Sequence, residues 1–248
     1  DLDSAFVVAH SGNLGRAHDA QTFLAAIEHL ERSPAEAARA VRPPSPSGSS
    51  LAETANSFAL AKSPLVRWLF IGGGAQFGTL EQAVSDRGLR SVLFKPYQPR
   101  ERLAESLSSA DVHLVTLRPE LEGLIVPSKV YGCLAAGRPI LFVGSDDGEI
   151  AQLIRKNDCG WVIAPDDPDG LARAITTLAR TPDRIAEMGR NARRAFDRDF
   201  DLRHAQRRWR ALIHDLHTQS RTAPVDEAPP GTNASAPQVN LGEPSTRG

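Results

Sequence analysis

Short apolar blocks recur along this chain, and between them apolar residues fall three and four positions apart. The first block is Ala5-Phe6-Val7-Val8-Ala9. Further blocks are Val66-Arg67-Trp68-Leu69-Phe70-Ile71, Ser91-Val92-Leu93-Phe94, the run from Val112 to Leu117, Ile140-Leu141-Phe142-Val143 and Gly160-Trp161-Val162-Ile163. Continuous apolar runs of this length predict strands buried on both faces. Helical spacing lies between them: Phe23, Leu24, Ile27 and Leu30 line one face of a helix over residues 20–30. Residues 80–86, 100–108, the stretch to about 157, 169–179 (with Asp169 as its cap), 182–198 and 202–217 read the same way. Strand alternating with helix predicts an α/β, Rossmann-like, doubly wound parallel sheet. Two stretches break the rhythm. Residues 33–64 carry Arg42-Pro43-Pro44-Ser45-Pro46-Ser47-Gly48, which predicts a surface insertion. Residues 218–248 are rich in Pro, Ser, Thr, Gly and Ala, which predicts a disordered tail after a single domain over 1–217.

In doubly wound sheets ligands bind beyond the carboxyl ends of the strands, so the loops that follow strands are the candidates. Ser11-Gly12-Asn13-Leu14-Gly15-Arg16 follows the first strand and precedes a helix; it reads as a phosphate-cradling loop or as a plain turn. Asp19 is the expected cap of that helix, and His18 reads as a structural histidine. Gly72-Gly73-Gly74 follows the second strand and lets the backbone turn tightly. The sixth position of a dinucleotide fingerprint would be Phe77, so a nicotinamide cofactor is rejected. Tyr97, after the third strand, either stacks on a ligand or anchors its loop. Pro127 and Ser128 predict a helix start with Ser128 as cap, and Gly137 followed by Pro139 predicts its stop. Lys129 sits in that first turn, where the helix dipole disfavours a cation. It is either a solvated lysine or the partner of an anion.

Composition narrows the field. Hydrophobic residues make up 41% and charged residues 24%, as in an ordinary globular chain, and a net charge of −1 gives a nucleic-acid partner no support. Cys133 and Cys159 read as buried reduced thiols. No apolar run has the length of a membrane span and no signal peptide opens the chain, so a cytoplasmic place is expected, with peripheral association at the inner face of the plasma membrane still open. Asp146-Asp147 follows the wrong strand for a metal-dependent Asp-x-Asp site, and no metal is expected.

Pro127-Ser128-Lys129-Val130-Tyr131-Gly132-Cys133-Leu134-Ala135-Ala136-Gly137-Arg138-Pro139, with the loop from Ser11 to Arg16, resembles the donor-binding half of bacterial family 4 (group 1) glycosyltransferases of the exopolysaccharide-building branch. The resemblance spans residues 6–217. It implies the C-terminal half of a GT-B fold, the N-terminal acceptor domain being missing, and hence a fragment or split half that is inactive alone. It implies a UDP- or GDP-type nucleotide-sugar donor, no cofactor, a glycan or lipid-linked acceptor, and metal-independent, retaining transfer. Arg16 and Lys129 are the expected catalytic residues, stabilising the departing diphosphate. Gly12, Asn13, Gly15, Gly72, Gly73, Gly74, Tyr97, Glu122, Val126, Pro127 and Ser128 are the expected donor-binding residues. Two glutamates that many family members use fall here at Leu124 and Gly132, which leaves Glu122 as a substitute. A nucleotide-sugar epimerase of the same fold and a non-catalytic binding half are the alternatives.

Overall fold

The computed structural model describes residue 2 and residues 4–32 and 64–222, with side chains to residue 218. Residues 33–63 of the predicted insertion and residues 223–248 of the predicted tail lie outside the described residues, while residues 218–222, expected in the tail, continue the last helix. The elements run β1 (Phe6–Asn13), α1 (Ala20–Arg32), β2 (Val66–Gly73), α2 (Phe77–Asp86), β3 (Val92–Lys95), α3 (Leu103–Ser108), β4 (Val112–Thr116), α4 (Lys129–Ala135), β5 (Ile140–Val143), α5 (Glu149–Asn157), β6 (Gly160–Ile163), α6 (Pro168–Ala179), α7 (Pro182–Ala195) and α8 (Leu202–Thr222). All six strands are parallel, in the order β3-β2-β1-β4-β5-β6. The doubly wound sheet expected from the alternation is therefore present.

Successive residues of a strand point to opposite faces, and each face has its own cover. Val8, Trp68, Phe70, Leu114 and Leu141 join Phe23 and Ile27 of α1 and Leu171 and Ile175 of α6 in one core. Val115, Ile140 and Phe142 face the other way, against Val130, Cys133 and Leu134 of α4 and Ile150 and Ile154 of α5. Both cysteines are buried and unbridged, as expected. A third cluster, Val7, Ala9, Leu69, Ile71 and Ala110, closes the second face near β3. Fully burying one such side chain stabilises the fold by roughly 1.5–3 kcal/mol, which is why the apolar runs were so readable.

The structure moves several boundaries. β1 does not end at Ala9; it runs to Asn13, because Gly12 pairs with Gly72 and Asn13 with Gly73. Ser128 stands before α4 but makes no capping hydrogen bond. Asp167, not Asp169, caps α6, its Oδ1 accepting from the Gly170 amide at 2.7 Å. Asp19 caps α1 as expected, accepting from the Thr22 amide at 3.1 Å. Gly137 ends α4 with φ at +63°. α7 stops at Ala195 and a π turn spans Phe196–Phe200. The chain divides into two compact units, Asp1–His204 and Ala205–Gly248. In α8, Trp209, Leu212, Ile213 and Leu216 are exposed. No helix among the described residues is long and apolar enough to cross a membrane.

Candidate functional site

A cavity of about 670 Å³ lies at the carboxyl end of the central strands. Gly12, Asn13, Gly15, Arg16 and His18 line it from the end of β1 and the loop that follows. Tyr97, Gln98, Ser106 and Leu107 line it from the β3–α3 side, and Val126, Pro127, Ser128 and Lys129 from the start of α4. Strand order explains the meeting: β1 is central, so its carboxyl end lies between those of β2 and β4.

Lys129 reaches back from α4 under the β1 loop. Its Nζ lies 2.8 Å from His10 Nε2, 3.4 Å from His18 Nε2 and 3.5 Å from the Asn13 carbonyl oxygen. His10 Nδ1 is 3.2 Å from the Leu114 carbonyl oxygen, and His18 Nδ1 is 2.9 Å from that of Thr116. The two rings meet edge to face with centroids 5.2 Å apart. Burial lowers the Lys129 ammonium from 10.5 to about 8. Burial, with the lysine charge second, lowers His18 to about 4 and pushes His10 well below its usual value. Cys133, one turn along α4, is raised to about 12 by burial and stays a thiol. Among the described residues Lys129 has no carboxylate partner, and the cavity lining contains no carboxylate. Arg16 is exposed on the cavity wall, and its guanidinium makes no ion pair or hydrogen bond among the described residues.

The glycines of the two loops interlock. A Cβ at Gly72 would stand 2.2 Å from the Gly12 carbonyl oxygen, and one at Gly74 2.2 Å from Asn13 Oδ1. Both residues hold positive φ, +137° and +121°. A Cβ at Gly73 would stand 3.1 Å from the Tyr97 ring. The missing side chains thus make room for Gly12, Asn13 and Tyr97, and Gly72, Gly73 and Gly74 do not line the cavity. Nor does Glu122, which turns to α5: its Oε1 accepts from the Glu149 amide at 3.0 Å. The amides of Val130 and Tyr131 are already bonded to the Pro127 and Ser128 carbonyls.

Nine of the expected site residues therefore converge on one cavity: Gly12, Asn13, Gly15, Arg16, Tyr97, Val126, Pro127, Ser128 and Lys129. His10 is a candidate that sequence reading left out, and His18 one that it took as structural. The place of His10 directly after an apolar block was its one signal; His18 offered none.

A family model for group 1 glycosyl transferases matches residues 52–195. The chain belongs to that family. A "probable glycosyltransferase", WbjE of Pseudomonas aeruginosa, is 31% identical over 166 residues, covering 65% of this chain and 40% of WbjE. Two solved structures share the fold of this group 1 chain. Sucrose-phosphate synthase of Thermosynechococcus elongatus superimposes with TM-score 0.64 at 19% identity, over 88% of this chain and 47% of that one. HepE of Anabaena, solved with UDP-glucose, gives 0.61 at 18% identity, over 86% and 50%. The group 1 chain spans about two fifths or less of the curated relatives it matches.

Proposed function

We propose that this chain is the donor-binding half of a glycosyltransferase, which holds a UDP- or GDP-type nucleotide sugar for transfer to a glycan or lipid-linked acceptor. The observation that carries the reading is a positive charge without an internal counter-charge: the Lys129 ammonium, set in the cavity wall with no carboxylate beside it among the described residues. Arg16 adds a second cation on the same wall. A diphosphate supplies what both lack. As the sugar–phosphate bond breaks, negative charge grows on the leaving diphosphate, and fixed cations in a partly dry site stabilise that charge. Arg16 offers a planar fork suited to two phosphate oxygens, and Lys129 a point charge. In this reading the two side chains carry the work without a divalent ion, and transfer proceeds with retention. No carboxylate stands among the described lining residues, and the His18 ring is taken up by Thr116 and Lys129. The acceptor and its activation therefore belong to a further domain, and the single domain over 1–217 transfers no sugar alone.

Calorimetry with UDP, UDP-glucose and GDP, in the presence of a chelator, tests the reading. Binding of at least one, weakened in both Lys129→Met and Arg16→Ala, is expected. Absence of binding by every nucleoside diphosphate overturns it. Retention is read from the anomer of the product formed by the complete enzyme.

A further inference from the structure

Buried lysines are ordinarily paired with an acid, because an isolated charge away from water is costly. Half-buried Lys129 is paired instead with two imidazoles and a carbonyl. The Leu114 and Thr116 carbonyl oxygens facing the two rings can only accept, which favours the proton on Nδ1 in both His10 and His18; the Thr116 hydroxyl, 3.0 Å from His18 Nδ1, accepts from the Asp19 amide and can accept from that proton too. Each Nε2 then turns a lone pair to Nζ. With the Asn13 carbonyl, the three ammonium protons meet three acceptors, none of them charged.

We propose that His10 and His18 are positioning residues that hold the Lys129 ammonium over the cavity by neutral acceptors alone, leaving its charge unneutralised until a diphosphate arrives and making that binding fade in mildly alkaline solution. The inference rests on the donor-binding reading above. A carboxylate in the same place would fix the lysine equally well, but it would cancel the charge and repel the ligand. An ordinarily titrating imidazole would add a second cation near pH 6. Burial removes that option, since His18 is lowered to about 4. The other groups around Nζ leave the balance unchanged. Cys133 of α4 stays a thiol, and His113 of β4 is also lowered to about 4 by burial. Arg16 lines the same cavity but makes no bond to the cluster. From about pH 5 to pH 7 the His10–His18–Lys129 cluster therefore holds a single positive charge, which is lost as pH passes through about 8.

The test follows UDP affinity by calorimetry from pH 7 to pH 9.5 in the full chain and in three variants. Wild-type affinity should hold to about pH 7.5, then weaken toward tenfold per pH unit. Lys129→Met should bind weakly with no such break. His18→Leu removes an acceptor from the charged form, so the ammonium titrates earlier and the break moves to lower pH. His18→Gln, whose amide oxygen can accept, should restore it. An unmoved break in folded His18→Leu, or binding that is flat from pH 7 to pH 9.5 in the wild type, overturns the inference. If no nucleoside diphosphate binds at all, the donor-binding reading falls and the inference with it. Nitrogen-15 NMR on the unliganded wild type separates the two failures. Nδ1–H tautomers at His10 and His18 with Nζ titrating near pH 8 uphold the cradle, and Nε2–H tautomers or a normal lysine titration overturn it.

Discussion

An ammonium held by neutral acceptors is less stable folded than unfolded, and the size of that strain follows from its titration. Lys129 titrates at about 8 instead of 10.5. Below pH 8 both states carry the proton and the folded state bears the burial cost. Between the two values the unfolded chain alone keeps the proton, so stability rises with pH. Each unit corresponds to about 1.4 kcal/mol. Lys129→Met should therefore raise stability at pH 7 by roughly 1–3 kcal/mol, with the gain shrinking by pH 10, while nucleoside diphosphate affinity falls by an order of magnitude or more. Urea unfolding at the two pH values checks the first half and calorimetry the second. The buried histidines act at the other end of the scale. His18 and His113 are lowered from 6.5 to about 4. Their contribution is complete above pH 6.5 and is lost as pH falls toward 4, by about 3 kcal/mol each if burial persists. His113→Gln should make that acid limb shallower by about one proton, read from unfolding free energy between pH 7 and pH 4. Lys129 was legible in the sequence because a cation in a helix's first turn contradicts the dipole. His10 and His18 were not, since only the fold brings residues 10, 18 and 129 within bonding distance.

At the scale of elements, the same substitution should act in opposite directions at two glycines of neighbouring segments. Gly74, just after β2, holds φ at +121°, and a Cβ there meets Asn13 Oδ1 at 2.2 Å and the Leu14 carbonyl oxygen at 2.7 Å. Gly74→Ala should cost roughly 2–4 kcal/mol. Gly78 lies inside α2 with nothing within 4 Å of its would-be Cβ. Gly78→Ala should stabilise by about 0.5–1 kcal/mol. Thermal unfolding of the pair decides both. Glu122 offers a second separation. Its carboxylate accepts from the first amide of α5. Glu122→Ala should thus cost about 1 kcal/mol of stability and leave UDP affinity unchanged; a loss of affinity in a fully folded variant would return Glu122 to the donor site. The order and type of the elements were legible, because period and apolar run length report burial directly. Their ends were not. β1 continues through Gly12 and Asn13 only because β2 supplies glycines opposite them, a pairing that no local pattern encodes. Asp169 was the expected cap, but Pro168 enters the helix as its first residue, which puts the cap at Asp167.

At the scale of the whole molecule, ligand binding in the cavity at the carboxyl ends of the central strands should be felt globally. A ligand that binds only the folded state adds about 2.7 kcal/mol at a hundredfold excess over its Kd. For a domain of this size that is roughly 5–10 °C in melting temperature. UDP should produce such a shift in the wild type and a much smaller one in Lys129→Met. The parallel architecture was readable from strand–helix alternation, whereas the order β3-β2-β1-β4-β5-β6 was not, since every block was equally apolar. That order also sets a timetable for synthesis. Among the six strands β1 leaves the ribosome before its partners, since Phe6 pairs with Val66 and Val8 with Val112. At about 5–20 residues per second the first partner is about 3–12 s behind and the second about 5–20 s. Through that interval Val7, Val8 and Ala9, which end fully buried, stand on a nascent chain with both strand edges open. The central position that later gathers the site's loops makes β1 the strand of this sheet most in need of a holding chaperone.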